Sequence, residues 1–358
     1  MSYLEKRLQA DAEAISDCVW SLGAAVEAAL KDAKRLLVHP DPDSAYKIVL
    51  GDHAINRDSR KCDRMCHAFI ARHLPSAGHL RRMAATIRVN VALERMGDYA
   101  VTIARESVRL GQALPEKFLR DMDEVADAAI TLLGDARQAF RDGNADVALA
   151  TIRASRKIQS RMDRIYDDLA AADNDLDGWT MLVIFVVFSL FKRVADQAKN
   201  IADQTIYAVQ GIDKMAKQHR VLFLDQTDSG MGQMAVAIGR KKFSAVADFA
   251  VATPERSDLL PSELRDFLIA SGLDTENLDT ELLETLRLDL SDYGVIVSLE
   301  GHYRDYIGQV PFHTSALNWP VGSESGVEDR MGQYRSLVVH IEDLMEQIAG
   351  EQLEKLLD

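Results

Sequence analysis

Two carboxylates one helical turn apart are the first residues in this sequence whose types and spacing could do chemistry. Glu94 and Asp98 continue a row of apolar side chains in a segment with the three- and four-residue apolar spacing of a half-buried helix. The row begins with Met83, Ile87 and Val91. An acid in such a row needs a proton, a cationic partner or a metal ion, because an isolated buried charge is costly. Two alternatives stay open: the row turns onto a solvated helix edge, or the acids pair with Arg95 or neighbouring arginines.

Composition excludes some classes of protein. The 358 residues carry a formal charge of −14, which argues against a nucleic-acid surface. The three cysteines, Cys18, Cys62 and Cys66, are too few for a disulfide framework and suit a reducing cytoplasm. Cys62 and Cys66 are followed by His67, so a soft-metal pair is conceivable, but small apolar positions on a helix are the better interpretation.

The chain start and its most apolar segment predict a cytoplasmic protein. The first residues are charged throughout and lack the apolar core of a signal peptide. The segment from Met181 to Phe191 has eleven apolar or small residues between charged flanks. It is too short to span a bilayer and reads as the buried part of a helix.

Three long amphipathic helices precede residue 113, and the same plan repeats after it. Apolar spacing predicts helices from Leu4 to Leu37, from the proline-containing break at residues 39–42 to about His73, and through the acidic segment. Pro115 opens a fourth helix and Asn144 caps a fifth, and the Asp-rich break at residues 173–177 leads into a sixth. We interpret residues 1–113 and 114–213 as duplicated three-helix bundles.

The third helix of the first repeat resembles that of the PhoU family of phosphate-uptake regulators, which are built as tandem three-helix bundles. The resemblance covers about residues 1–215. It is carried by the following residues: Glu94, Arg95, Met96, Gly97, Asp98, Ala100, Ile103 and Ala104. The family associates an acidic motif on each third helix, facing acids of the second helix, with multinuclear metal clusters. By position, the resemblance implies Asp52, Asn56, Asp63, Glu94 and Asp98 as oxygen ligands suited to Mg, Mn or Fe.

The second repeat departs from this pattern. Lys192 stands where the acid should be, although Asp196, Asn200 and Asp203 remain candidate ligands. The second helix of this repeat offers only Ser155 and Gln159. An ammonium beside Asp196 would neutralise it without a metal, so we expect at most one occupied site, in the first repeat.

The pattern changes to alternating strands and helices after residue 218. Strands are predicted at Val221–Leu224, Val246–Val251 and Tyr293–Leu299, with a further strand at Phe312–Ser315. Helices are predicted after the first glycine-containing loop, at Pro261–Ser271, near Tyr303 and at Arg330–Leu357. This alternation predicts a small α/β domain with a parallel sheet over residues 219–358.

The opening strand, glycine loop and helix of this domain resemble the low-molecular-weight tyrosine phosphatase and arsenate reductase fold. That resemblance also covers the strand ending at Leu299 and the Trp319-Pro320 region. The family's loop runs from a nucleophilic Cys to an Arg, but here Asp225 and Met231 stand at those positions, while Ser229 still fits. Asp225 is a weak nucleophile that would occupy the anion site itself, and Met231 donates no hydrogen bond. We expect a catalytically inactive module that serves as a binding or dimerisation surface.

The two resemblances together imply a multidomain cytoplasmic regulator rather than an enzyme. The PhoU resemblance implies the phosphate ABC transporter and a sensor histidine kinase as partners, reached at the membrane through protein contact, and it leaves a homodimer open. Two alternatives remain: phosphatase or arsenate reductase activity in the C-terminal domain, and a helical bundle that mainly sequesters metal.

Overall fold

The computed structural model divides the chain into two compact units, Met1–Met215 and Ala216–Asp358. The residues that the structure describes are 3–170, 176–212, 219–226, 229–255, 260–286, 290–311, 314–319, 321 and 330–357. The first unit is helical and the second has a parallel sheet, as the sequence predicts.

The described part of the first unit contains six long helices in two groups of three. They are α1 Tyr3–Val38, α2 Pro42–His73, α3 Ala77–Leu110, α4 Glu116–Asp142, α5 Ala145–Ala170 and α6 Gly178–Gln210. Proline and capping residues set the boundaries: Pro42 opens α2 after the N-cap Asp41, and the Asn144 side chain accepts hydrogen bonds from the first turn of α5. The α3 and α6 helices pack against each other, and one continuous core joins the two groups. The repeats therefore form a single compact unit.

The apolar segment at residues 181–191 is part of the much longer helix α6. By length and composition α6 could cross a membrane, which corrects the length argument made from residues 181–191. Half of the most apolar 18-residue stretch of α6 is buried inside the unit, where Val187, Phe188 and Phe191 are fully enclosed. A central core helix of a globular protein has the same composition, so this finding is weak support for a membrane span.

The described residues of the second unit form a five-stranded, fully parallel sheet with helices beside it. The strands are β1 His219–Leu224, β2 Ala247–Thr253, β3 Glu281–Leu282, β4 Val295–Ser298 and β5 Ser315–Asn318, in the spatial order β3-β2-β1-β4-β5. The helices are α7 Met231–Phe243, α8 Ser262–Ala270, α9 Leu283–Leu286, α10 Tyr303–Tyr306 and α11 Arg330–Leu357. Alternate residues of β1 face opposite cores: Val221 and Phe223 pack on one side, Leu222 and Leu224 on the other.

Two strand predictions need correction. The sequence analysis missed β3, which has only two residues and pairs with the end of β2 at one edge of the sheet. It also placed the last strand too early: β5 begins at Ser315 and pairs with β4, while Phe312 lies outside the described residues. Short edge strands carry little periodicity, because a run of two to four residues does not show alternation.

Candidate functional site

The acids of the first repeat lie where α2 packs against α3. Gly97 permits this close approach, since a Cβ atom there would come 3.2 Å from Ile55 Cγ2 and 3.4 Å from Asp52 Oδ1. The absence of a side chain at Gly97 thus brings the backbone of α3 against the Asp52 carboxylate. The predicted acids of both helices therefore share one region of the bundle.

Asp52 is only partly satisfied in this position. Its Oδ2 accepts a 2.5 Å hydrogen bond from Asn56 Nδ2, one turn along α2. Its Oδ1 is buried and has no hydrogen-bond partner among the described residues. A buried acceptor without a partner is uncommon in folded proteins and costs about 1–3 kcal/mol, so this oxygen needs a ligand or a proton.

Glu94 and Asp98 add negative charge to the same region. Burial raises the pKa of Glu94, and the carboxylates of Asp98 and Asp52 raise it further, against a smaller opposite effect of Arg95. Partial burial and the Asp52 carboxylate also raise the pKa of Asp98. The three acids thus repel one another, and a bound cation would relieve that repulsion.

The row that begins at Met83 does turn towards solvent before it reaches these acids. Met83 is buried and Val91 is 41% exposed, which corrects the expectation that Val91 continues a buried row. Glu94 is half-buried and Asp98 is exposed. No described residue forms an ion pair with Glu94 or Asp98, and no three His, Cys, Asp or Glu side chains of the described chain are grouped to hold a metal ion. The donor types suit a hard cation, although the side chains do not converge on one point.

Asp63, the remaining candidate on α2, accepts a hydrogen bond from a residue that the sequence analysis missed. The side-chain amide of the buried Asn90 donates 2.7 Å to Asp63 Oδ1 and 2.9 Å to the backbone carbonyl of Ser59. Asn90 therefore ties α3 to α2 one turn before Glu94. The signal that could have found it is a polar residue among the buried positions of α3.

The described residues of the second repeat show no comparable acid cluster. Lys192 Nζ lies 3.0 Å from Asp196 Oδ2, which is the ion pair that the sequence predicts. Ser155 donates to the carbonyl of Ile152, and the side chain of Gln159 lies outside the described residues. Asp203 is buried on α6. A partner ammonium already neutralises the exposed Asp196, so the two repeats differ in charge balance.

The cysteines correct another expectation. Cys18 of α1 and Cys62 of α2 form a disulfide with 6.1 Å between their Cα atoms, although the sequence analysis treated all three cysteines as free. Cys66 remains a free, buried thiol, and burial raises its pKa to about 12. It is therefore uncharged at neutral pH, which argues against a soft-metal pair at Cys62 and Cys66.

In the second unit, the loop between β1 and α7 holds its own carboxylate. Gly230, with φ 75°, lets the chain turn into α7. Asp225 is 1% exposed and accepts hydrogen bonds of 2.8 Å from Gln226 N and 2.7 Å from Gly232 N. The Ser229 hydroxyl lies 2.6 Å and 2.5 Å from its two oxygens. These donors, at the N-terminus of a helix, would otherwise face a bound anion.

The surroundings of this loop disfavour a phosphate ligand further. Met231 is buried in the core, and no cysteine lies among the described residues of this unit. A cavity of about 480 Å³ beside the loop is lined by acids that the sequence analysis did not single out, Glu284, Glu300 and Asp305. Burial raises the pKa of Asp225, while its hydrogen bonds oppose that shift. Tyr306 borders the cavity, and burial together with the carboxylates of Asp225, Glu300 and Asp305 raises its pKa to about 12.

Comparison with known proteins matches the helical unit. Residues 19–107 match the PhoU domain family model. A phosphate-specific transport system accessory protein PhoU homolog of Pseudomonas putida is 27% identical over 216 residues, covering 59% of this chain and 84% of that protein. The corresponding accessory protein PhoU of Escherichia coli strain K12 is 26% identical over 214 residues, covering 59% and 88%.

Two solved structures share the fold. The crystal structure of PhoU from Pseudomonas aeruginosa superposes with a TM-score of 0.55 at 25% identity, over 57% of this chain and 99% of that one. The phosphate transport system regulatory protein PhoU from Streptococcus pneumoniae has a TM-score of 0.52 at 21% identity, over 58% and 98%, and shows the fold alone. The share of this chain that each comparison covers is close to the extent of the helical unit, 215 of 358 residues. They confirm the resemblance to the PhoU family and leave the phosphatase-like origin of the second unit a prediction.

Proposed function

We propose that this protein, with its PhoU-like helical unit, regulates phosphate uptake and phosphate-dependent signalling by contact with other proteins. The observation that carries the proposal is the extent of the match, which spans 84% and 88% of two curated relatives and 99% of a solved PhoU chain. The helical unit therefore corresponds to nearly a whole relative rather than to a fragment. A regulatory role that belongs to such a whole protein can be carried by this unit alone.

The second unit, in this proposal, contributes no catalysis. The Asp225 carboxylate occupies the donors that a phosphoryl group would need, and acids line the adjoining cavity. A substrate phosphate would have to displace a buried, hydrogen-bonded carboxylate and approach further negative charge. Hydrolysis of an aryl phosphate or reduction of arsenate by the purified full chain, lost in Asp225→Ala, would contradict this part of the proposal.

The partners we propose are the phosphate ABC transporter and the sensor histidine kinase of phosphate signalling. The relatives are named as accessory proteins of the phosphate-specific transport system, which supports a contact with transporter components. We place the protein in the cytoplasm, peripheral to the membrane through these partners. A homodimer remains compatible with the proposal.

The test is a deletion of the gene with a reporter for phosphate-starvation transcription. In phosphate-replete cells, deletion should derepress the reporter, and the full chain should restore repression. Asp225→Asn, which keeps the shape of the side chain, should restore repression equally well because no chemistry is required. An unchanged reporter after deletion would contradict the regulatory role, and failure of Asp225→Asn alone would contradict the inactivity of the second unit.

We also propose that the first repeat binds a hard cation, Mg, Mn or Fe, through Asp52, Glu94 and Asp98. The support is the unpartnered buried Asp52 Oδ1 beside two carboxylates of raised pKa. Binding requires the Glu94 and Asp98 side chains to reorient towards Asp52. A bound cation would neutralise the three acids and link α2 to α3.

Elemental analysis of the full chain, purified without chelators, tests the cation proposal. We expect metal in the wild-type protein, loss of it in Asp98→Ala, and retention of it in the matched variant Asp196→Ala of the second repeat. Equal metal in Asp98→Ala and the wild type would contradict the site. Several metal atoms per chain that also disappear in Asp196→Ala would favour a metal-sequestering bundle instead.

A further inference from the structure

A second cavity lies within the helical unit, away from the acidic residues. It has a volume of about 240 Å³ and is lined by side chains of α1, α3 and α4. It is lined by Arg82, Arg137 and Arg141 together with His79, and no aspartate or glutamate among the described residues lines it. The chain has a net charge of −14, so the charge of the residues that line this cavity is opposite in sign to that of the chain as a whole.

Two of these arginines already have acidic partners. Arg137, which is nearly fully buried, pairs with Glu27 and donates 3.2 Å to the carbonyl of Trp20. Arg141 lies 3.5 Å from Asp17. Both guanidinium groups also lie 4.5 Å from the centre of the Trp20 ring. They shape the wall of the cavity, and their charge is largely balanced.

Arg82 differs from these two. Its guanidinium lies 4.0 Å above the Phe140 ring, and among the described residues it has no carboxylate partner. Burial is the cause that lowers its pKa, with no opposing acid. A partly desolvated guanidinium without a counter-charge is costly, and an anionic ligand would compensate for that cost.

Apart from Ser16 and Thr86, the rest of the lining is apolar. Ile15, Val19, Met83, Val89 and Leu93 contribute aliphatic surface, and Phe140 contributes a ring. Inorganic phosphate would gain nothing from these apolar side chains, whereas an alkyl or aryl group would bury apolar area against them at about 25 cal/mol per Å². The volume is below the usual range of drug-sized sites, about 300–1,000 Å³, so the occupant has to be small.

We propose that this cavity binds a small organic anion with an apolar body, such as a short alkyl carboxylate, with its charged group on Arg82. The apolar body lies against the aliphatic residues of α1 and α3. This site is independent of the cation proposed between α2 and α3 and of the regulatory role proposed above. Through this cavity the helical unit would bind a small molecule in addition to its protein partners.

Isothermal titration of the full chain with octanoate tests the proposal. We expect saturable one-to-one binding by the wild type, and at least about tenfold weaker binding, or about 1.4 kcal/mol, for Arg82→Met. The matched control is Arg88→Met on the same helix, because Arg88 interacts with Gln204 and Tyr207 outside the cavity and its loss removes the same charge. Octan-1-ol, which has the same tail without the charge, should bind much more weakly than octanoate.

A second variant blocks the cavity while keeping its charge. Ala12 lines the cavity on α1 and is half-buried, so Ala12→Phe should fill the space and abolish octanoate binding with Arg82 intact. Absence of saturable binding by the wild type would overturn the proposal. Equal losses in Arg82→Met and Arg88→Met, unchanged binding in Ala12→Phe, or displacement of octanoate by millimolar inorganic phosphate would each overturn it as well.

Discussion

Asp52 in the helical unit is half-buried and Asp225 in the α/β unit is buried, and the two carboxylates differ in their hydrogen bonds. Asp225 accepts hydrogen bonds from two backbone amides and a serine hydroxyl, which satisfies both of its oxygens. Asp52 receives one side-chain hydrogen bond and keeps one oxygen without a partner. The hydrogen bonds of Asp225 are complete within the chain, whereas Asp52 Oδ1 needs a ligand or a proton.

The backbone around each residue explains the difference. Asp225 precedes the N-terminus of α7, where amide groups have no partner within the helix and can reach a carboxylate. Asp52 lies in the middle of α2, where every backbone amide is already used in the helix. Only side chains can reach it there, and its neighbours Glu94 and Asp98 are acidic. The same residue type is therefore structural at a helix start and a ligand candidate in a helix interior.

Removal of the Asp225 carboxylate should have the largest effect. Asp225→Ala leaves the amide of Gly232 and the hydroxyl of Ser229 without an acceptor, so we expect the second unit to lose about 3 kcal/mol of stability. Hydrogen exchange of the amides in β1 and α7 measures this locally. Asp225→Asn, which keeps one acceptor oxygen, serves as control and should lose less. Equal protection in Asp225→Ala and wild type would show that the carboxylate does not complete the loop.

Addition of a cation should have the next largest effect, and only in the helical unit. Mn²⁺ at about a hundred times its Kd should stabilise this unit by about 2.7 kcal/mol, because it binds the three acids in the folded state and not in the unfolded state. Hydrogen exchange of α2 and α3, compared with that of α7 in the same sample, separates the two units. If exchange also slows in α7, or does not change in α2, the claim that the cation binds near Asp52 and not near Asp225 is wrong.

The sequence predicted the fold well because its signals are local. Helix boundaries follow from proline, glycine and capping residues, and α11 begins and ends at the predicted residues, Arg330 and Leu357. The position of Asp225 beside the glycine-containing turn also follows from strand, loop and helix in succession. The role predicted for Asp225 rests on the resemblance to the low-molecular-weight phosphatase fold and stays a prediction.

The features that were missed depend on contacts between distant residues. Cys18 and Cys62 are 44 residues apart, and only the alignment of α1 with α2 brings them together. The bond between Asn90 and Asp63 likewise depends on the register of two helices. The cationic cavity around Arg82 combines three helices, so no spacing within one helix could reveal it.

Introduction of an acid at residue 192 tests whether the second repeat can be made to bind a metal ion as proposed for the first. Lys192→Glu breaks the ion pair with Asp196 and should cost about 0.5 kcal/mol, because that pair is partly exposed. We expect no second metal atom by elemental analysis, since α5 offers the hydroxyl of Ser155 where α2 has Asp52. A gain of one metal atom would show that the third helix alone determines the site. Lys199→Glu, an exposed position on the same helix, is the charge-matched control.

Neutralisation of Asp98 should have the smallest effect, and its sign distinguishes repulsion from attraction. Without metal, Asp98→Asn should stabilise the helical unit by a few tenths of a kcal/mol, because it removes a charge near Asp52 and Glu94 and the site is exposed to screening. The raised pKa means that the folded state binds this proton more tightly, so its contribution to stability falls as pH rises between the unfolded and the folded pKa. Denaturant unfolding followed by helix content, at pH 4 to 7 with a chelator, should show a weaker fall in Asp98→Asn than in wild type. Destabilisation by Asp98→Asn at neutral pH would instead indicate a cationic partner for this acid.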